Sequence, residues 1–163
     1  MHTTKTNQLE AYYVTTEENF HTMVEQTHIE SADCCNGWLG TGAYLFNTEN
    51  EALSHGKQCN FKNPRVLKAT VYHGLYGKLD VNTPGGQGVF SEIIKASIGK
   101  IPLSTSLSPV AYFSIIADLV FAYGVIESGS IEILCGINTN ISPQRYEYCV
   151  KKGVTIDMKV IPY

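Results

Sequence analysis

The chain has 163 residues, 44% of them hydrophobic and 17% charged, a composition that excludes wholesale disorder and leaves enough length for one substantial core. Its formal net charge of −3 gives no electrostatic reason to expect nucleic-acid or anionic-membrane binding. No apolar run reaches transmembrane length. With no internal repeat and no linker, residues 1–163 read as a single domain. The polar segment Met1–Gln8 lacks the apolar stretch of a secretory signal. Five cysteines, Cys34, Cys35, Cys59, Cys135 and Cys149, form neither a disulfide framework nor a C-x-x-C pair. A cytoplasmic product with reduced thiols is therefore expected. Cys34 and Cys35 near His28, His55 and Cys59 are a conceivable zinc set, but adjacent cysteines seldom both serve a tetrahedral ion, and no metal is expected.

In chain order, Gln8–Thr15 is a short β-prone run through Leu9, Ala11, Tyr12, Tyr13 and Val14. Thr15, three residues ahead of Glu18, reads as a capping box. The helix after it sets Phe20, Met23 and Val24 on one face. A glycine-rich turn follows, Asn36-Gly37-Trp38-Leu39-Gly40-Thr41-Gly42, and runs into the strand-like Ala43–Phe46. Such bare backbone suits a sharp turn or a close approach to a ligand, with an aromatic face offered beside it. The plainer alternative is a tight turn with Trp38 and Tyr44 as core. Thr48 and Glu51 form a second capping box, for a helix expected to stop near Gly56.

Beyond Pro64, Arg65–Tyr72 reads as a core strand, with His73 as a structural histidine at its end. Residues 84–88 read as a flexible loop without the lysine of a P-loop. Val89–Ile98 is expected as an amphipathic helix, and Ser108–Tyr123 as a largely buried helix with Ser108 as N-cap and Asp118 as its one charge. Gly129–Ile137 reads as a strand, Tyr146–Cys149 as a polar aromatic segment, and Val154–Ile161 as an alternating strand. Glu132 stands inside the first of these. It is either the solvent-facing position of a half-buried sheet or a functional carboxylate.

Trp38, Leu39, Gly40, Gly42, Tyr44, Phe46 and Ala52 carry a resemblance. Their order and spacing resemble the central motif of the ADP-ribosyltransferase fold, especially its small bacterial toxin-like members, with weaker echoes from Tyr12 to Ile137. The resemblance implies an α+β fold with a split β-sheet core and flanking helices. It implies NAD as substrate, no metal, and transfer of ADP-ribose to a protein, nucleic acid or water. The macromolecular acceptor is unknown, an antitoxin or immunity protein is an implied partner, and the site of action is the cytoplasm of the producer or of a target cell.

By the same resemblance, Tyr44 stacks on nicotinamide, Gly40 and Gly42 lie against the cofactor, and Glu132 is the late-strand catalytic carboxylate, ahead of Glu127 and Glu92. Val14 stands where the family places a histidine. Either Thr15 and Thr16 supply that cofactor contact, or dinucleotide binding is weakened. The alternative function is a catalytically degenerate member of the fold that acts as a nucleotide-binding or protein-interaction module.

Overall fold

The computed structural model describes residues 7–30, 35–74, 77–88, 131–139, 141–151 and 153–161. The expected helices at 89–98 and 108–123, with Asp118, Glu92 and Glu127, lie outside the described residues, as does Cys34. Among the described residues the fold is mixed α+β. Two helices, α1 (Glu17–Gln26) and α2 (Glu49–Gln58), accompany nine strands: β1 (Asn7–Thr15), β2 (His28–Glu30), β3 (Cys35–Gly37), β4 (Gly40–Phe46), β5 (Arg65–His73), β6 (Lys78–Asp80), β7 (Ile133–Asn138), β8 (Arg145–Val150) and β9 (Thr155–Val160). The strand order is β2-β9-β5-β1-β4-β8-β7-β6, with β3 paired to β4 off this path.

β6 and β7 pair in parallel, and the other ladders are antiparallel. β1 and β5 pair along their whole length, from Asn7 with His73 to Thr15 with Arg65. β1 and β4 share a single registered pair, Tyr12 with Phe46. The sheet is continuous through that junction, with β5 and β9 on one side of it and β8, β7 and β6 on the other. The Gly74 N–H after β5 donates to the Glu132 carboxylate just before β7, at 3.0 Å. Since β1, β4 and β8 lie between those strands in the order, the sheet must curl to bring its halves together.

Strand periodicity builds two apolar layers. Ala43 and Leu45 of β4 join Leu9, Ala11, Leu67, Ala69, Val71, Ile133, Val150, Ile156 and Met158 in one cluster, which α1 covers through Phe20. Tyr44 and Phe46 point the other way, to Val14, Leu39, Leu134 and Cys149, where α2 contributes Ala52. The helices thus feed separate clusters on opposite faces.

Local chemistry explains most boundaries. The Thr48–Glu51 capping box forms in both directions. At α1 the N-cap is Thr16 and not Thr15: the Thr16 hydroxyl accepts the Asn19 N–H at 3.3 Å, while Thr15 remains the buried last residue of β1. α2 runs through Gly56 to Gln58. Gly56 does not end the helix; it lets the helix sit down on Val14, because a Cβ there would lie 2.8 Å from Val14 Cγ2 and 3.0 Å from Pro64 Cβ. Residues 84–88 form a helical turn, not a loop. The expected strand at 129–137 begins only at Ile133, so Glu132 precedes β7 instead of lying within it. The tail segment around Tyr146 is a full strand, β8.

Gly56→Ala is a test of that packing. Helix propensity alone favours alanine by about 1 kcal/mol, whereas overpacking costs about 1–3 kcal/mol. The substitution is expected to lower the unfolding free energy measured in urea, against the propensity trend.

Candidate functional site

One cleft of about 360 Å³ opens beside the glycine-rich turn and is bounded by the β3–β4 hairpin, α2 and the adjoining strands β7 and β8. Gly37, Trp38 and Tyr44 come from the hairpin, His55 and Gln58 from α2, Asn138 from β7, and Arg145 and Glu147 from β8. Cys59, the C-cap of α2, stands at the rim, exposed.

Strand pairing puts the carboxylate and the phenol together. Tyr44 faces Cys149, and Phe46 faces Glu147. Residues 44, 46, 147 and 149 therefore share one face, and Glu147 is the diagonal neighbour of Tyr44. Glu147 in turn pairs with Gly136 of β7. A Cβ at Gly136 would lie 2.9 Å from Trp38 Cη2, so the indole lies over the strand position directly opposite Glu147.

The floor of the cleft is a buried polar network. Arg145 Nε donates to Glu147 Oε2 at 3.2 Å, with side chains only 5% and 3% exposed. The Asn138 amide donates to both Glu147 oxygens, at 3.4 and 3.3 Å. The Arg145 guanidinium also reaches Gln58 Oε1 at 2.8 Å, Ser54 Oγ at 3.4 Å and His55 Nδ1 at 3.0 Å. A guanidinium has only donors. His55 Nδ1 must therefore accept, which assigns the ring proton to Nε2, 3.5 Å from Cys59 Sγ.

Burial, and then the adjacent Arg145 charge, push the His55 pKa down to about 4. This histidine is a neutral donor toward the cleft at physiological pH, not a base. The Cys59 thiol is pushed up, mainly by burial, which makes it a weak nucleophile.

Tyr44 is fixed by its own backbone. Its hydroxyl donates to Gly40 C=O at 2.5 Å and accepts the Leu39 N–H at 3.1 Å. Burial, and then Cys149, hold its ionisation far above the ordinary tyrosine range, so it offers a surface and not a proton. A Cβ at Gly37 would lie 2.5 Å from Tyr44 Cζ, so only glycine fits there.

The remaining residues singled out from the sequence are placed elsewhere. The Glu132 carboxylate is not among the cleft-lining groups; it accepts the Gly74 N–H, and a Cβ at Gly77 would meet it at 2.7 Å. Its local role is to hold the turn between β5 and β6. Thr15 is buried at a strand end and Thr16 is occupied as a helix cap; neither lines the cleft. Gly40, at φ 86°, and Gly42, at φ 154°, need glycine for backbone reasons. The space a Gly42 side chain would fill holds Val150 O at 2.5 Å and Cys149 Sγ at 2.7 Å, so its bare face meets β8 and not a ligand. Among the described residues no group of three or more His, Cys, Asp or Glu is arranged to hold a metal ion, and no helix is long and apolar enough to cross a membrane.

Sequence reasoning missed Glu147, Arg145 and Asn138, and weighed His55 and Cys59 only as conceivable zinc ligands. The available signal was the alternation Arg145-Tyr146-Glu147-Tyr148-Cys149, a strand pattern whose charged positions face inward.

The depressed His55 pKa predicts a pH effect. Above its ordinary value of 6.5 the ring is neutral in both states. As pH falls from there toward about 4, the unfolded chain gains a proton that the folded chain refuses. The His55 contribution to stability is therefore full above that window and lost on acidification through it. His55→Gln is expected to reduce the dependence of urea-unfolding free energy on pH between those values, relative to the unsubstituted protein.

Comparison with protein-family models, curated proteins and solved structures found no match to this chain.

Proposed function

We propose that the cleft binds the nicotinamide–ribose end of NAD and that the protein is a toxin-like mono-ADP-ribosyltransferase on an ADP-ribosyltransferase-like fold, with Glu147 in the carboxylate role. The observation that carries this reading is the meeting of Trp38, Tyr44 and Glu147 in one cleft. The motif resemblance of Trp38–Phe46 and the mixed α+β fold support it. A volume of about 360 Å³ lies in the range of small-molecule sites, about 300–1,000 Å³, and suits a pyridine ring with its ribose rather than a whole dinucleotide.

Breaking the nicotinamide–ribose bond passes through an oxocarbenium-like state, as glycoside cleavage does. The bonding electrons leave with neutral nicotinamide. The acceptor then forms a bond to the ribose carbon and loses its proton to solvent. Glu147 would take a hydrogen bond from a ribose hydroxyl and offset the developing positive charge. The aromatic walls would hold the pyridine ring, and the neutral His55 N–H would donate to a carbonyl or hydroxyl of the ligand. Arg145 and Asn138 hold the Glu147 carboxylate in orientation through their hydrogen bonds. The chemistry needs no metal.

The catalytically degenerate reading, a nucleotide-binding or protein-interaction module, is favoured by Val14 in the core and by the several hydrogen bonds already made to Glu147.

Nicotinamide release from NAD separates the two. Glu147→Gln, checked by circular dichroism for retained fold because it leaves Arg145 without its counter-ion, is expected to lose about 10²–10³-fold in turnover. Glu132→Gln is expected to retain turnover. Full activity in a folded Glu147→Gln protein would overturn the assignment. NAD binding without turnover in the unsubstituted protein would favour the degenerate module, and neither would leave protein interaction.

A further inference from the structure

Lys151, immediately after β8, is 1% exposed. Burying an ammonium costs several kcal/mol unless its donors are taken up, and an apolar side chain would fill the same volume without that cost. Its Nζ donates to Leu39 C=O at 2.8 Å and to Thr41 C=O at 3.1 Å. Both carbonyls belong to the tip of the β3–β4 hairpin, where Gly37 pairs with Gly40 around Trp38 and Leu39.

That tip packs through the fully buried Leu39 and through Trp38 against Gly136, and its backbone carbonyls still call for donors. The registered β4–β8 ladder spans Ala43–Phe46 and stops short of it. Glycines at 37 and 40 leave the turn conformationally permissive. The Tyr44 hydroxyl bonds Leu39 N–H and Gly40 C=O, and Tyr44, paired with Cys149, carries that hold into the β4–β8 ladder. Cys149 adds only long sulfur contacts, 3.9 Å to Gly40 C=O and 3.5 Å to Thr41 C=O, and a thiol is a weak donor. Lys151 makes the short bonds that tie the tip to β8, the strand that carries Glu147.

We infer that Lys151 is a positioning residue of the cleft: together with Tyr44, its ammonium anchors the Trp38–Leu39 turn to β8 and so helps set where the indole wall stands relative to Glu147. The lysine is not among the residues lining the cleft and acts through the turn. The inference concerns the geometry of the cleft, goes beyond the proposed reaction, and holds whether or not that reaction occurs.

Trp38 is the only tryptophan in the chain, so fluorescence excited selectively at the indole reports on the turn alone. Lys151→Met keeps the length of the side chain and removes the donors. In the folded, full-length variant the emission should move to longer wavelength and acrylamide should quench it more strongly, while circular dichroism stays that of the unsubstituted protein. A folded Lys151→Met protein with unshifted emission and unchanged quenching overturns the inference. If Lys151→Met does not fold, Lys151→Gln, which retains a donor of shorter reach, is read in the same way with a smaller expected shift. Failure of both variants to fold also overturns it, since Lys151 would then support the whole sheet and not one turn.

Discussion

A guanidinium sealed from water must have its donors met, and Arg145 meets that demand across the boundary between sheet and helix. It binds Glu147 on its own strand and Ser54, His55 and Gln58 on α2, with its Cζ 5.2 Å from the centre of the Phe46 ring. Removing one partner of such a buried pair typically costs about 3–5 kcal/mol, because the other charge is stranded. This one constraint fixes the seat of α2, the orientation of the carboxylate and the tautomer of the histidine. The cleft is the space left between that network and the glycine-rich hairpin. Its charges cancel within the network, so it presents hydrogen-bonding groups and aromatic surface more than net field.

The glycines show how tightly the surrounding structure is closed. At positions 42, 56 and 136 the missing Cβ is replaced by β8, by Val14 and Pro64, and by Asn82, Val81 and Trp38 respectively. Bare backbone is used here to bring protein elements together. Only Gly37 also borders the cleft, and the space beside it is taken by the Tyr44 ring. From sequence, a glycine-rich turn beside an aromatic reads either as a ligand-approach device or as a tight turn with Trp38 and Tyr44 as core. In the folded chain it is first a packing device, and the ligand-facing surfaces are the side chains that this packing holds in place.

Legibility followed ordinary polarity. β1, β5 and β9 keep the alternation of a sheet with apolar residues inside, and each was readable within a residue or two of its observed ends. The Thr48–Glu51 capping box was readable because its hydrogen bonds are local. β8 was not, because it places Arg145 and Glu147 inward at 6% and 2% exposure and leaves Tyr146 and Tyr148 half-buried. That inversion is stable only with Asn138, across the β7–β8 ladder, and the α2 side chains as partners, and the latter lie far away in sequence. Glu132 looked like the anomalous carboxylate because it follows Ile131 and precedes Ile133. It lies outside the strand, and its carboxylate instead accepts the N–H of Gly74, a residue 58 positions earlier.

The sequence by itself determined what depends on neighbours a few residues apart: the mixed α+β character, the glycine-rich turn, the cap of α2, and Tyr44 as a residue of interest. Only the tertiary structure decided which carboxylate shares a cleft with that tyrosine, because strand order and pairing bring β8 beside β4 after a separation of about a hundred residues. Local pattern carries no information on which strands become neighbours; burial of paired charges across that distance is a property of the assembled sheet.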